Sequence, residues 1–148
     1  MKTVAVVTGG AGGIGLATAK IVGRDRHVVI ADVNEARLGA TLEELGRLRI
    51  ESTAVVCDVT ERRSVDALVE CACSHGRVSS VVHAAGVSPQ MGSAELIIRI
   101  NAVGTVHIAE AFLAHAHEGF ALVNVASVAA HMLPCALANG STAGADFA

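Results

Sequence analysis

Five short runs of apolar, largely β-branched residues recur along the chain, at Thr3–Val7, His27–Ala31, Thr53–Val56, Val78–Val82 and Ala121–Val125. The first four begin at positions 3, 27, 53 and 78, so each gap holds one helix and two short loops. The fifth begins at 121, which leaves space for a long helix and a longer loop. Apolar residues at helical spacing predict helices over Gly13–Arg24, Glu35–Leu48, Glu61–Ser74 and Ala94–His117. Asn34 and Thr60 stand where side-chain caps belong. On the last helix, Ala102, Val106, Ala109 and Leu113 recur at spacings of four, three and four, giving one apolar face.

This alternation predicts a doubly wound α/β domain with a parallel sheet in the order 3-2-1-4-5. Right-handed crossovers then place helices on both faces, with a crevice at the carboxyl ends of strands one and four. After Ser127 the chain turns to small residues punctuated by Pro134, Gly140 and Gly144, without a sixth strand pattern. The expected organisation is one folded domain over 1–130 and an irregular Ala/Gly-rich segment over 131–148.

The first strand leads into Thr8-Gly9-Gly10-Ala11-Gly12-Gly13-Ile14-Gly15, and Ile14 opens an amphipathic segment. Strand, glycine turn and helix is the context in which such glycines bind a phosphate. Without side chains the backbone turns sharply and approaches an anion closely, and the helix packs tightly on the strand. The free amides and positive dipole end of the helix then face that anion. Gly10, Gly12 and Gly15 fit the spacing G-x-G-x-x-G, and Thr8, Gly9, Gly13 and Gly15 fit TGxxxGxG. No Lys-Ser/Thr pair follows, which excludes a Walker-type loop.

Composition narrows the picture. Of the 148 residues, 52% are hydrophobic and the mean hydropathy is +0.54, yet the only aromatics are three Phe. Aliphatic and small residues must fill the core, as in a parallel sheet covered by helices. A net charge of −3 gives no footprint for nucleic acid or an anionic membrane. No uninterrupted apolar run approaches the ~18 residues of a spanning helix, and the N-terminal run reads as a strand rather than a signal peptide. Cys57, Cys71, Cys73 and Cys135 show neither C-x-x-C nor zinc spacing, so buried free thiols in a reducing cytoplasm are expected. His115 and His117, two apart on a helix, face different ways, while His107 and His131 are isolated; no metal site is expected.

Two carboxylates follow strands. Asp32 ends the second, 17 residues past Gly15, near the ~20 expected of an acid that binds a ribose 2′-hydroxyl. Its charge repels a 2′-phosphate and so favours NAD over NADP, with Arg37 near in sequence; the alternative is a cap on the following helix. Asp58 ends the third strand, where it either meets an adenine amino group or caps the next helix.

Thr8-Gly9, Gly13-Ile14-Gly15, Asp32, Cys57-Asp58-Val59, His83-Ala84-Ala85-Gly86, Asn101-Ala102-Val103-Gly104 and Asn124-Val125-Ala126-Ser127 occur in that order. In order and spacing this series resembles the short-chain dehydrogenase/reductase family, over residues 1 to about 130. The resemblance implies a Rossmann-like fold and an NAD-dependent exchange of hydride with a small-molecule alcohol or ketone. It implies that Thr8, Gly9, Gly13, Ile14 and Gly15 hold the pyrophosphate, Asp32 the ribose, and Asp58 and Val59 the adenine. Ala84, Ala85 and Gly86 would line the cofactor, with His83 and Ala84 standing where the family carries paired asparagines. Asn101 matches the asparagine that kinks a helix and helps hold a relay water, and Ser127 matches the catalytic serine. Methyltransferases also join a glycine loop to an acid after strand two, but the His83–Gly86 and Asn124–Ser127 segments speak against them.

The family's acid/base is a Tyr in a Tyr-x-x-x-Lys motif, whose usual offset falls on Gly140 and Gly144, and the chain contains no Tyr. A phenol has an ordinary pKa near 10 and works near neutral pH only when a neighbouring lysine and the cofactor's charge lower it. Glycine transfers no proton, so the expectation is a catalytically incomplete chain. Three explanations stand: a truncated or frame-disrupted dehydrogenase, a non-catalytic dinucleotide-binding or interaction module, and a partner chain that supplies the acid. With the fifth strand an unpaired edge, self-association or a homo-oligomer is expected.

Overall fold

Apolar β-branched runs pair edge to edge when both of their faces can be buried. In the computed structural model, which describes residues 3–127, five strands do so. They are β1 (Thr3–Thr8), β2 (His27–Asp32), β3 (Ser52–Val56), β4 (Arg77–His83) and β5 (Ala121–Asn124), all parallel in the order β3-β2-β1-β4-β5. The expectations placed on His131, Pro134, Cys135, Gly140, Gly144 and the segment 131–148 lie outside the described residues.

On one face of the sheet, Val4, Val6, Val29, Val78 and Val81 meet α3 (Arg62–His75) through Val65, Leu68 and Ala72. The same cluster takes in Ile108, Ala111 and Phe112 of α5 (Gly104–Leu113). On the other face, Val7, Val28 and Ile30 meet Ala19 of α1 (Gly13–Val22) and Leu38 and Leu45 of α2 (Glu35–Arg47). Each of these larger side chains contributes about 1.5–3 kcal/mol by leaving water. Val78 and Val81, three apart, reach the same face because β4 bulges. Val4 pairs with Val78 and Ala5 with Ser80, so Ser79 is the extra residue, and its hydroxyl donates to Val4 O at 3.1 Å.

Asn34 caps α2 as expected, accepting from Arg37 N at 3.0 Å. Thr60 does not cap α3. Its amide and hydroxyl both donate to Asp58 Oδ1, at 2.9 and 2.8 Å, forming a side-chain turn, and the helix begins only after Glu61. The long fourth helix is also corrected. It runs as α4 (Ala94–Ile98), a π-helical turn (Arg99–Val103) and α5, and it ends at Leu113 rather than His117. Its buried stripe is Gly104, Ile108, Ala111 and Phe112, whereas the expected stripe leaves Val106 and Leu113 more than half exposed. The helix is apolar on both sides, so spacing alone could not choose between them.

By length and composition alone, Ala94–Leu113 is long and apolar enough to cross a membrane, against the expectation from uninterrupted apolar runs. Its buried side chains lie in the sheet's core, while Arg99 pairs with Glu61 at 3.4 Å and Glu110 with Arg62 at 3.0 Å. Cys57, Cys71 and Cys73 are free, but only Cys57 is buried, and that burial raises its thiol pKa.

Candidate functional site

At the carboxyl ends of the strands a cleft of about 930 Å³ opens, within the size range of small-molecule sites. Its floor is the glycine turn. Gly9 has φ +64°, and a Cβ there would stand 2.8 Å from Ala85 N and 2.9 Å from Ala84 O, so β4's turn comes within backbone distance of β1's. Gly15 is as tightly held: a Cβ would stand 2.1 Å from Gly9 O, which lets α1 start directly on the turn. Leu16 N donates to Gly12 O, and the amides of Gly13, Ile14 and Gly15 precede that first helical bond. A Cβ at Gly13 would meet nothing within 4 Å. The helix therefore offers open space and a partial positive charge on the cleft side, the chemistry that suits a phosphate.

Asp32 ties the end of β2 to this turn. Its Oδ2 accepts from Ala11 N at 3.3 Å and its Oδ1 from Asn34 N at 3.1 Å. Since Asn34 is the cap, Asp32 does not cap α2, and its carboxylate lines the cleft. Nearby, the Arg37 guanidinium lies 3.3 Å from where a Cβ on Gly12 would stand.

On the next wall, Asp58 is exposed, engaged with Thr60, and donates its own amide to Ser64 Oγ at 3.0 Å. It too caps nothing. Val59 is 5% exposed and accepts at its carbonyl from His107 Nδ1 at 3.0 Å. Because a carbonyl only accepts, His107 carries its proton on Nδ1.

Of the residues singled out from sequence, Gly9, Gly13, Ile14, Gly15, Asp32, Asp58, Val59, Ala84, Ala85 and Gly86 line this one cleft. Thr8 and Asn101 do not line it but hold residues that do. Thr8 is fully buried, accepts at its carbonyl from Ala84 N at 3.2 Å and at its hydroxyl from Ala85 N at 3.3 Å. Asn101 sits in the π-helical turn, a local widening that fits the expected kink. Its amide is spent on the backbone of Val87, accepting from the nitrogen and donating to the oxygen, both at 2.9 Å. The Asn101 side chain thus positions a cleft-lining loop. Ser127 lies three residues past β5, exposed and outside the cleft lining.

Sequence reasoning missed the part played by His83. It is 3% exposed, with Nδ1 2.7 Å from Thr8 Oγ1 and Nε2 3.1 Å from Thr105 Oγ1. Burial lowers its pKa from the ordinary 6.5, so the ring is held neutral. Only the departure from paired asparagines marked this position, and nothing in the sequence singled out Thr105. Among the described residues, no group of three or more His, Cys, Asp or Glu could hold a metal ion.

The family model of the short chain dehydrogenases matches residues 3–143. A short-chain dehydrogenase/reductase of Pyricularia oryzae is 33% identical over 136 residues, covering 82% of this chain and 51% of that protein. A Burkholderia phymatum short-chain dehydrogenase/reductase, solved in complex with NAD, aligns with a TM-score of 0.75 and 29% identity, over 86% of this chain and 50% of that one. An actinorhodin polyketide ketoreductase, solved with NADPH, aligns with a TM-score of 0.76 and 28% identity, over 85% of this chain and 53% of that one. The chain spans about half the length of the curated relatives it matches.

Proposed function

Because this chain belongs to the short-chain dehydrogenase family, we propose that its cleft binds NAD(H) and that its parent activity interconverts a small alcohol and its ketone. The observation that carries this reading is the Asp32 bond to Ala11 N, which joins a 2′-hydroxyl acceptor to the phosphate turn in one cleft. The residues fit a dinucleotide: the open face of Gly13 and the first amides of α1 take the pyrophosphate, and Asp32 the adenosine ribose. Asp58 and Val59 flank the adenine, and Ala84, Ala85 and Gly86 line the opposite wall. When bound there, a nicotinamide dinucleotide would supply or accept the hydride. Ser127 donates a hydrogen bond to the substrate carbonyl, and Asn101 keeps the Val87 loop in place.

The absence of Tyr from the sequence favours a catalytically incomplete chain. Ketone reduction needs a proton at oxygen as well as hydride at carbon, and neither Ser127 nor Asn101 is an acid near neutral pH. The second reading, a dinucleotide-binding module without turnover, rests on this same absence. We assign the binding unit to 1–130, the setting to the cytoplasm, and partners to small molecules and further copies of the chain, with neither nucleic acid nor membrane. An assay of alcohol oxidation and ketone reduction with NAD(H) tests the assignment. The unaltered chain should fall short of an acid–base-assisted enzyme by ~10²–10⁴. Robust turnover abolished by Ser127→Ala would overturn the incompleteness. Recovery with Gly140→Tyr plus Gly144→Lys would establish the parent activity.

A further inference from the structure

We propose that His83 is a positioning residue for the dinucleotide, fixing the glycine turn against the Asn101 turn through a hydrogen-bond chain that can run in only one direction. The chain passes from Ala85 N to Thr8 Oγ1 (3.3 Å), to His83 Nδ1 (2.7 Å), and from His83 Nε2 to Thr105 Oγ1 (3.1 Å) and Asn101 O (2.8 Å). Its two ends set the polarity. The Asn101 carbonyl cannot donate, so the single Thr105 hydroxyl proton goes to it. Thr105 Oγ1 must then accept from His83, which places the imidazole proton on Nε2. In the neutral ring Nδ1 is consequently an acceptor, and it takes the Thr8 hydroxyl proton. Thr8 Oγ1 is left to accept from Ala85 N, which is only a donor. Every step is satisfied with one proton each.

Its side chains, those of Thr8, His83 and Thr105, join three elements that make the cleft without themselves lining it. Thr8 ends β1 immediately before Gly9, Ala85 lies in the turn after β4, and Asn101 holds Val87. Gly9 tolerates no extra atom against Ala84 and Ala85, so the separation of those two turns is already at its closest. A hydrogen-bond path whose Thr8–His83 link is buried keeps that separation and orients the amides beside it. Asparagine has one amide, too short to reach both hydroxyls from this position, so the path is a consequence of histidine at 83. This inference rests on the dinucleotide reading.

Thr105 gives the clean test, because it does not line the cleft. Thr105→Val removes the acceptor with little change of shape, and Thr105→Ser keeps the hydroxyl. NADH affinity of the full chain would be measured by calorimetry for all three forms, with the His83 tautomer read from long-range ¹H–¹⁵N correlation spectra. The expected result is an Nε2–H tautomer in the unaltered chain, lost in Thr105→Val together with about three- to tenfold of NADH affinity. Thr105→Ser should restore both. Unchanged NADH affinity in Thr105→Val, or an Nδ1–H tautomer in the unaltered chain, overturns the positioning role while leaving the dinucleotide reading intact. No NADH binding by the unaltered chain overturns both.

Discussion

Gly104 and Val59 meet so closely that a Cβ on the glycine would stand 2.6 Å from Val59 Cγ2. Helix α5 is thereby seated directly on the loop that forms one wall of the cleft, with the His107 bond to Val59 O one turn further on. Gly104→Ala gains helix propensity worth about 1 kcal/mol but meets a buried side chain with nowhere to go, an overpacking cost of about 1–3 kcal/mol. Net destabilisation of about 1 kcal/mol is expected from urea midpoints. Gly39→Ala and Gly46→Ala, in α2 with nothing within 4 Å of the new Cβ, should instead stabilise by about 0.5–1 kcal/mol.

His83 makes stability depend on pH. Its pKa is lowered in the folded state, so below the ordinary 6.5 the unfolded chain binds a proton that the folded chain refuses. Stability is complete above that value, falls as pH drops through it, and levels off below the folded pKa. Urea midpoints between about pH 7 and pH 5 should show the fall, and His83→Asn should lack this component. An equal slope in the variant would mean that other groups carry the dependence.

Arg37 lies across the glycine turn as an exposed cation near Asp32. A 2′-phosphate at that end of the cleft would meet one charge of each sign. Arg37→Ala should therefore weaken NADPH more than NADH, by about two- to fivefold, the scale of an exposed ion pair. Equal losses for the two cofactors would remove Arg37 from the choice between them.

Self-association is expected from the surface. Val103, Val106 and Leu113 on the long helix, and Val123 and Val125 at the sheet edge, are each at least 39% exposed. Light scattering at ~100 μM should show species larger than one chain. A monodisperse, well-folded monomer would contradict this.

Most of the scaffold was legible because its signals were local. Apolar, largely β-branched runs marked every described strand to within a residue or two, the first four at even spacing, and the glycine turn declared itself by standing between strand and helix. Asn34 was legible as a cap for the same reason. Thr60 was misread because Asp58, two residues earlier, competes for its amide and hydroxyl. The buried side of α5 was misread because that helix carries apolar residues on two sides, and only the position of α3 and the sheet decides between them. Family resemblance implied only a kink at Asn101, and no local pattern marked the π-helical turn over Arg99–Val103. The path from Thr8 through His83 to Thr105 joins residues 75 and 22 apart, and no local pattern carries contacts of that range.

A cleft that takes NAD(H) has Asp32 reading the ribose beside the phosphate turn. Calorimetric titration of NADH and NADPH, into the unaltered chain and into Asp32→Asn, tests it most directly. The amide oxygen keeps an acceptor for Ala11 N, while the NH2 that replaces the other oxygen ends the bond from Asn34 N, so the charge and that one bond are removed together. The unaltered chain should bind NADH well and NADPH much more weakly, and Asp32→Asn should narrow that gap chiefly by improving NADPH. Equal affinities for the two cofactors in the unaltered chain, or no heat with NADH, would contradict the assignment.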